Sequence, residues 1–544
     1  MKKVMYLMVF LLSLNTLSAQ KNVIEKSEDQ IKLFNAQQKF YAGDYKGALA
    51  LYKDVLSNSP SNADVLGRIA ECYYEMGSYT EAQENAEKAK GIDEKAYENT
   101  ALVLGKIYHW NGKLDEAHTE YTFFKNLVGE GKKAKDSDID LLIGQIATAK
   151  QLLASPVPAP VENMGDGINS EYDDKAPMVT ADGKTLIFTS RRPGKSSAVD
   201  TEGDNKYFED IYISRWDTTK RMWSEAELIP GSINTEGYDA CTSISPDGKN
   251  IYIYKNDADG ESRSGDIYVS RLSSSGKWGS PKSMGKPVNT TYFEGGACIS
   301  PDGKTLFLSS EREGGFGRSD IYMLKKKSRT EWEKKAVNLG PDINTDGDEG
   351  GLFLAPDGKT LFFTSTGHNS MGGYDIFKTV LENGKWSKPV NLGSPINTVN
   401  NDLNFSLSVD ARTGYFTSDR KGGLGERDVY KADLSNYPVM EKDMKAKVVN
   451  SGPTMAILTG TVFNATDGQA IEAEVKIFDE TGAAAGSTTA NSESGEYFMT
   501  LLAGKTYQVK IDLKGYKPID EKVEIKAAKE GATTVVKHYL LYKK

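Results

Sequence analysis

One turn recurs five times in this chain. It reads "TADGKTLIFTS" at 180, "SPDGKNIYIYK" at 245, "SPDGKTLFLSS" at 300, "APDGKTLFFTS" at 355 and, in degenerate form, "SVDARTGYFTS" at 408. In Pro301-Asp302-Gly303 proline presets one dihedral, aspartate folds back on the backbone and glycine permits a positive φ. An apolar-rich run of strand character follows each copy. The turn aspartates are Asp182, Asp247, Asp302, Asp357 and Asp410, so the period is 53 to 65 residues. A repeat of that length is one supersecondary unit that buries its faces only against its neighbours.

Each unit carries more than the turn. An Asp-aromatic strand comes next: "EDIYISR" (209), "GDIYVSR" (265), "SDIYMLK" (319), "YDIFKTV" (374) and "RDVYKAD" (427). A fourth strand is then expected to begin at Trp223, Trp278, Trp332 or Trp386. It runs into "LIPGSINT", "SMGKPVNT", "NLGPDINT" or "NLGSPINT". The fifth unit lacks this last piece after Leu434, and an orphan copy, "APVENMGDGINS" (159–170), precedes the first. The economical solution is closure of a ring, with the early strand completing the last unit and hiding the open sheet edges. Over residues 160–435 the pattern resembles the WD-like, TolB-type β-propellers, which implies a five-bladed β-propeller.

Eight residues before each turn aspartate stands a carboxylate: Asp174, Asp239, Glu294, Glu349 and Asp402. If the intervening strand is innermost, these acids ring one mouth of a channel, where they would hold a cation or a basic ligand. The preferred alternative is that each pairs locally, with turn amides or an arginine. Recurrence in every unit marks what the fold needs, whereas a catalytic site needs different residues in different roles and breaks the symmetry.

Upstream, residues 28–155 have helical apolar spacing. Gly43-Asp44-Tyr45, Gly77-Ser78-Tyr79 and Gly112-Lys113-Leu114 recur at 34 and 35 residues, each followed at one offset by Ala48, Ala82 or Ala117. Glycine ends one helix and alanine admits close approach of the next. The pattern resembles tetratricopeptide repeats, and Ile139, Leu142, Ile143, Ile146 and Leu153 mark a capping helix. Such a stack implies a concave face that takes a peptide or helix. Tyr108-His109-Trp110 would serve there as an anchor or, preferably, in helix packing.

Downstream of a linker at 435–456, residues 457–544 alternate as strands. Gly460, Gly495, Tyr497, Gly504, Tyr507, Gly515 and Tyr516 give them a resemblance to carboxypeptidase regulatory-like domains, which implies a transthyretin-like β-sandwich without catalysis. The fold class expected is therefore multidomain α plus all-β.

Lys2 and Lys3 followed by the apolar Val4–Leu14 read as a signal peptide, residues 1–19, with cleavage after Leu17-Ser18-Ala19. Its loss would take the net charge from −9 to −11. That balance excludes an unpatterned grip on nucleic acid. No other apolar run is long enough to cross a bilayer. Cys72, Cys241 and Cys298 make no disulfide framework and read as buried small apolar residues. His109, His118, His368 and His538 are scattered outside any zinc motif. "GGFG" (314) and "GGLG" (422) read as inter-strand turns. "NDADGES" (256) and "NTDGDEGG" (344) lack the spacing of a calcium loop. No catalytic residue, cofactor site or metal site is assigned.

Together the modules resemble envelope scaffold proteins of Bacteroidota, of which the PorE type of the type IX secretion and gliding machinery is one. Those carry in addition an OmpA-like, peptidoglycan-binding domain. This sequence ends at Lys544 directly after the third module, so that anchoring is not carried over. The resemblance implies a non-enzymatic periplasmic adaptor, peripheral to the outer membrane, whose partners are envelope proteins, among them an outer-membrane protein associated with type IX secretion. The alternatives are a propeller enzyme or carbohydrate-binding protein using axial carboxylates, and cargo displayed at the cell surface.

Overall fold

The computed structural model describes residues 28–131, 133, 135, 137–195, 198–200, 206–256, 265–328, 331–440, 455–527 and 533–544. The signal-peptide reading, most of "NDADGES" and most of the linker fall outside these residues. The chain divides into two compact units, 1–150 and 151–544.

The first unit is helical. Its elements are α1 (28–41), α2 (Tyr45–Asn58), α3 (Ala63–Glu75), α4 (Tyr79–Ile92), α5 (Asn99–Trp110), α6 (Leu114–Val128) and α7 (Ile139–Leu153). Gly43, Gly77 and Gly112 stand between helices at φ +79°, +74° and +74°, with open space around each. Their role is thus conformational, since a side chain is disfavoured in left-handed backbone. Ala48, Ala82 and Ala117 are completely buried, which is what the close approach of helices requires. Gly105 acts by space instead: a Cβ there would lie 2.4 Å from the Tyr121 ring. Ile139 and Ile146 of α7 pack beside Tyr121 and Phe124, while Leu142 and Ile143 are partly covered. Leu153, expected on the same face, is instead 45% exposed in the last turn of its helix.

The second unit is built of strands. Five antiparallel sheets follow one another, each opening with a carboxylate-led strand: Asp174–Val179, Ala240–Ile244 (just after Asp239), Glu294–Ile299, Glu349–Leu354 and Asp402–Leu407. The second strand of each follows the turn, and the third begins at Asp210, Asp266, Asp320, Asp375 or Asp428. The fourth position is shorter than the tryptophan pattern suggests. Met222–Trp223 and Lys385–Trp386 are two-residue strands that end rather than begin at tryptophan, Trp278 makes two isolated bridges and Trp332 makes one. In sheet five the place is filled from the beginning of the unit: Val161–Asn163 pairs with the strand Asp428–Asp433, Glu162 opposite Lys431. The first strand of each sheet contacts that of the next, and that of sheet five contacts that of sheet one.

The turn glycines adopt the φ they were read for, +66° to +70° at Gly183, Gly248, Gly303 and Gly358. In the degenerate copy Ala411 takes that conformation at +58°, although an L side chain is disfavoured there.

Residues 455–544 form two four-stranded sheets around one core that includes Leu458, Val475, Tyr497, Val509 and Ile525. Gly460 is required by space, since a Cβ would lie 1.6 Å from the Lys537 carbonyl oxygen. Tyr497 and Tyr507 each donate a hydroxyl hydrogen bond to a backbone carbonyl, of Lys537 and Leu502. These sheets meet the repeated turns. Lys249 pairs with Glu496, Lys304 with Glu474 at 3.6 Å, and the Thr500 hydroxyl donates to the Pro356 carbonyl at 2.5 Å.

Candidate functional site

Two features of the second unit compete for a functional reading: the five carboxylates and a cavity near them. The carboxylates come first because the sequence singled them out.

All five are buried, none more than 1% exposed. Their surroundings repeat. A Ser or Thr four residues earlier (Ser170, Thr235, Thr290, Thr345, Thr398) donates both its backbone N–H and its hydroxyl to the carboxylate, at 2.5–2.9 Å. The asparagine just before that residue faces the other way. Asn169, Asn234, Asn289, Asn344 and Asn397 each exchange two side-chain hydrogen bonds of 2.7–3.0 Å with the backbone of one residue in the preceding sheet's third strand. The "IN(S/T)" segment is therefore a joint, its Asn holding one sheet and its Ser or Thr starting the next. Asn169 makes that joint to Val429, so the closing contact has the chemistry of the other four.

The cation at the joint is not constant. Arg192, Arg312 and Arg420 lie 2.6, 3.2 and 2.6 Å from Asp174, Glu294 and Asp402. Each also donates to a carbonyl of the joint, of Ile168, Val288 or Ile396. In sheet two the lysine Lys255 replaces the usual serine of the second strand and reaches Asp239 at 3.0 Å. In sheet four no cation pairs with Glu349 among the described residues. Its carboxylate receives the Ser365 hydroxyl at 2.6 Å, and His368 Nε2 takes over the contact with the joint carbonyl, Ile343 O, at 2.9 Å. Burial pushes the carboxyls of Asp174, Asp239 and Glu349 above the usual range, against the pull of their hydrogen-bond partners. Among the described residues no three Asp, Glu, His or Cys side chains are grouped to hold a metal ion.

The cavity lies where the first strands of sheets one, two, three and five come together, and its volume is about 450 Å³. None of the five carboxylate residues lines it. Part of the lining is aromatic: Tyr254 and Phe293 stand 5.5 Å apart and tilted, and Tyr238 is a third aromatic lining residue. The lining also carries the charged residues Lys175, Asp200, Glu209 and Arg427. Lys175 pairs with Glu209, and Arg427 makes two bonds of 2.6 Å to Asp173. Backbone irregularity shapes the wall. All five first strands shift register one to three residues after their first paired position, and the lining residues Ala176 and Asn404 adopt φ +53° and +52°. Bulges of this kind re-aim side chains and recur next to binding sites.

Sequence reasoning did not single out these lining residues. The available signal was a departure from the repeat. The second strands end Thr-Ser, Ser-Ser, Thr-Ser and Thr-Ser in four units and Tyr254-Lys255 in the second.

In the helical unit, Tyr108, His109 and Trp110 serve in packing between helices. The Tyr108 hydroxyl donates to Glu87 at 3.2 Å, His109 is buried against Tyr121, and Trp110 packs on Tyr79 with ring centres 5.7 Å apart. All three cysteines are buried.

Comparison with known proteins bears on the helical unit. The tetratricopeptide-repeat family matches residues 39–91. Solved structures similar to that part include the first tetratricopeptide domain of Spaghetti (RPAP3) bound to an HSP90 peptide, at 20% identity, 23% of this chain, 96% of that one and a TM-score of 0.20. The chaperone SycD of Yersinia enterocolitica with a peptide of the translocator YopD matches at 15% identity, 22% and 93% coverage and a TM-score of 0.21. The Sgt2 domain of Aspergillus fumigatus matches at 22%, 26% and 89%, with a TM-score of 0.22. No curated protein sequence matches the chain.

Proposed function

We propose that this chain is a non-enzymatic scaffold of the cell envelope. Its three interaction modules are a tetratricopeptide stack, a five-bladed β-propeller and a transthyretin-like sandwich. The observation that carries the reading is the tetratricopeptide repeat at 39–91, which belongs to a stack of seven helices among the described residues. Such stacks work by holding a peptide or helix of a partner. The propeller assignment rests on five successive antiparallel sheets whose first strands touch in a cycle, with one sheet completed from both ends of the segment.

The sandwich is held by the turns of sheets two to four, so the repeated turn doubles as a mount for a second module. An enzyme built on the five carboxylates gains no support from their surroundings, because each is buried and engaged by its own joint. Periplasmic residence, and a partner among outer-membrane proteins associated with type IX secretion, follow from the resemblance to PorE-type scaffolds and are part of the proposal.

In-cell crosslinking of the full-length protein, followed by purification and mass spectrometry, is expected to recover envelope proteins, fewer of them once the helical unit is deleted. Recovery of cytoplasmic proteins alone would overturn the reading.

A further inference from the structure

Five copies of one unit provide their own control: what recurs serves the fold, and what departs from the repeat is free to serve something else. The largest departure is in sheet two. Fifteen residues after the first carboxylate, the other units place a small hydroxyl, Thr189, Ser309, Thr364 or Thr417. Two of these brace the next sheet, Thr189 accepting the Cys241 N–H and Thr417 the Ala176 N–H, each at 2.9 Å. Sheet two gives up that position to Tyr254, whose ring enters the cavity wall. A second residue has changed to admit it. Where the other units carry Glu209, Ser319, Tyr374 or Arg427 before the third strand, sheet two has Gly265, and a Cβ there would lie 1.9 Å from the Tyr254 ring. Lys255 meanwhile keeps the joint closed on Asp239. The fold is preserved while a tyrosine is seated in the cavity.

The lining specifies the chemistry of an occupant. Lys175, Asp200, Glu209 and Arg427 line the cavity, and each charge is already engaged: Lys175 with Glu209, Arg427 with Asp173 outside the lining, and Asp200 with the Tyr238 hydroxyl that donates to it. Asn256 and Asn404 add side-chain amides to the lining. Asn404 is presented from a left-handed bulge. Tyr254 and Phe293 supply flat apolar faces. The volume lies within the roughly 300–1,000 Å³ of ordinary small-molecule sites. A ligand that matches has one apolar face, a rim of neutral donors and acceptors, and no net charge.

We propose that the cavity is a binding site for a neutral saccharide of one or two pyranose rings. The C–H face of a ring packs on Tyr254 and Phe293, and the hydroxyl edge is read by Asn256, Asn404 and the outer atoms of the two ion pairs. The site uses none of the five carboxylates and breaks no covalent bond, and it does not depend on the scaffold reading.

The test is calorimetric titration of the full chain with N,N′-diacetylchitobiose, cellobiose and maltose, and in parallel with glucosamine and triglycine. Saturable binding of at least one disaccharide is expected. Tyr254→Thr, which restores the residue type of the other units, should weaken it at least about tenfold. Asn404→Gly, which keeps the left-handed backbone, should weaken it too, with the thermal transition of each variant unchanged. Disaccharide binding that survives Tyr254→Thr would place the sugar elsewhere and overturn the proposal. So would saturation by glucosamine or triglycine with none by the disaccharides, or no binding at all.

Discussion

Sheets three and four begin alike and are held differently. Glu294 and Glu349 each open a first strand, each is buried, and each receives an N–H and a hydroxyl from a threonine four residues earlier. Arg312 then pairs with Glu294, whereas Glu349 has only hydroxyl and amide partners. The fold thus requires the carboxylate as a hydrogen-bond acceptor for a threonine turn, and the cation is one of several ways to complete it. Sheet two adds a third way through Lys255 and, having done so, releases its neighbouring position to Tyr254.

The strongest way to break this comparison is to make one substitution at both places. Glu294→Gln strands the Arg312 guanidinium in a joint where it is mostly covered, and should destabilise the second unit by about 3–5 kcal/mol. Glu349→Gln loses no cation and should cost about 1 kcal/mol or less. Urea unfolding of the two variants measures the difference. Equal costs would mean that the arginine is incidental.

Gly265 and Tyr254 provide the next largest effect. Gly265→Ala forces the tyrosine ring aside and should cost about 1–3 kcal/mol, and almost nothing in a Tyr254→Thr background. Additive costs in that double-mutant cycle would show that the two residues were not exchanged together.

The third prediction concerns pH. At the head of the third strand, Asp320 accepts the Phe316 and Gly317 amides and the Asn338 side chain. Asp210, its counterpart in sheet one, accepts the Lys195 amide at 2.7 Å, and burial pushes its carboxyl up to about 6. A raised acid binds its proton in the folded state before it does so in the unfolded chain. The stability it contributes is therefore present below about pH 4 and is lost as pH rises through about 6. Asp210→Asn should flatten the stability profile across that window by about 1–2 kcal/mol. An unaltered slope in Asp210→Asn would show that the aspartate is already ionised in the folded chain.

Much of the fold was legible because repetition was. Five turn motifs, five Asp-aromatic strands and an orphan "APVENMGDGINS" led to the pairing of Val161–Asn163 with Asp428–Asp433. The triplet of glycines and alanines led to the helical hairpins. The fourth strands were overread because tryptophan marks a packed position, and Trp278 fills it with two isolated bridges and no continuous strand. The cavity was not legible in that way. Its lining is drawn from residues as distant as Lys175 and Arg427, and nothing in local periodicity brings them together. Tyr254 stood out only as an irregularity in a pattern, and an irregularity has no direction until the sheets are assembled.

The sequence by itself determined the units: where each turn falls, which face of each strand is apolar, and that an acid must recur eight residues before the turn aspartate. These are local matters of dihedral preference, periodicity and the need of a buried carboxylate for donors close by in the chain. Only the tertiary structure decided which acids would find a cation, since Arg, Lys and His368 stand at similar distances along the chain and differ in what their side chains reach. It alone decided that Lys175 and Arg427 neutralise their own partners while Tyr254 and Phe293 face a common space. Charge pairing and cavity shape depend on distances between strands far apart in sequence, which are set when the first strands of sheets five and one come into contact.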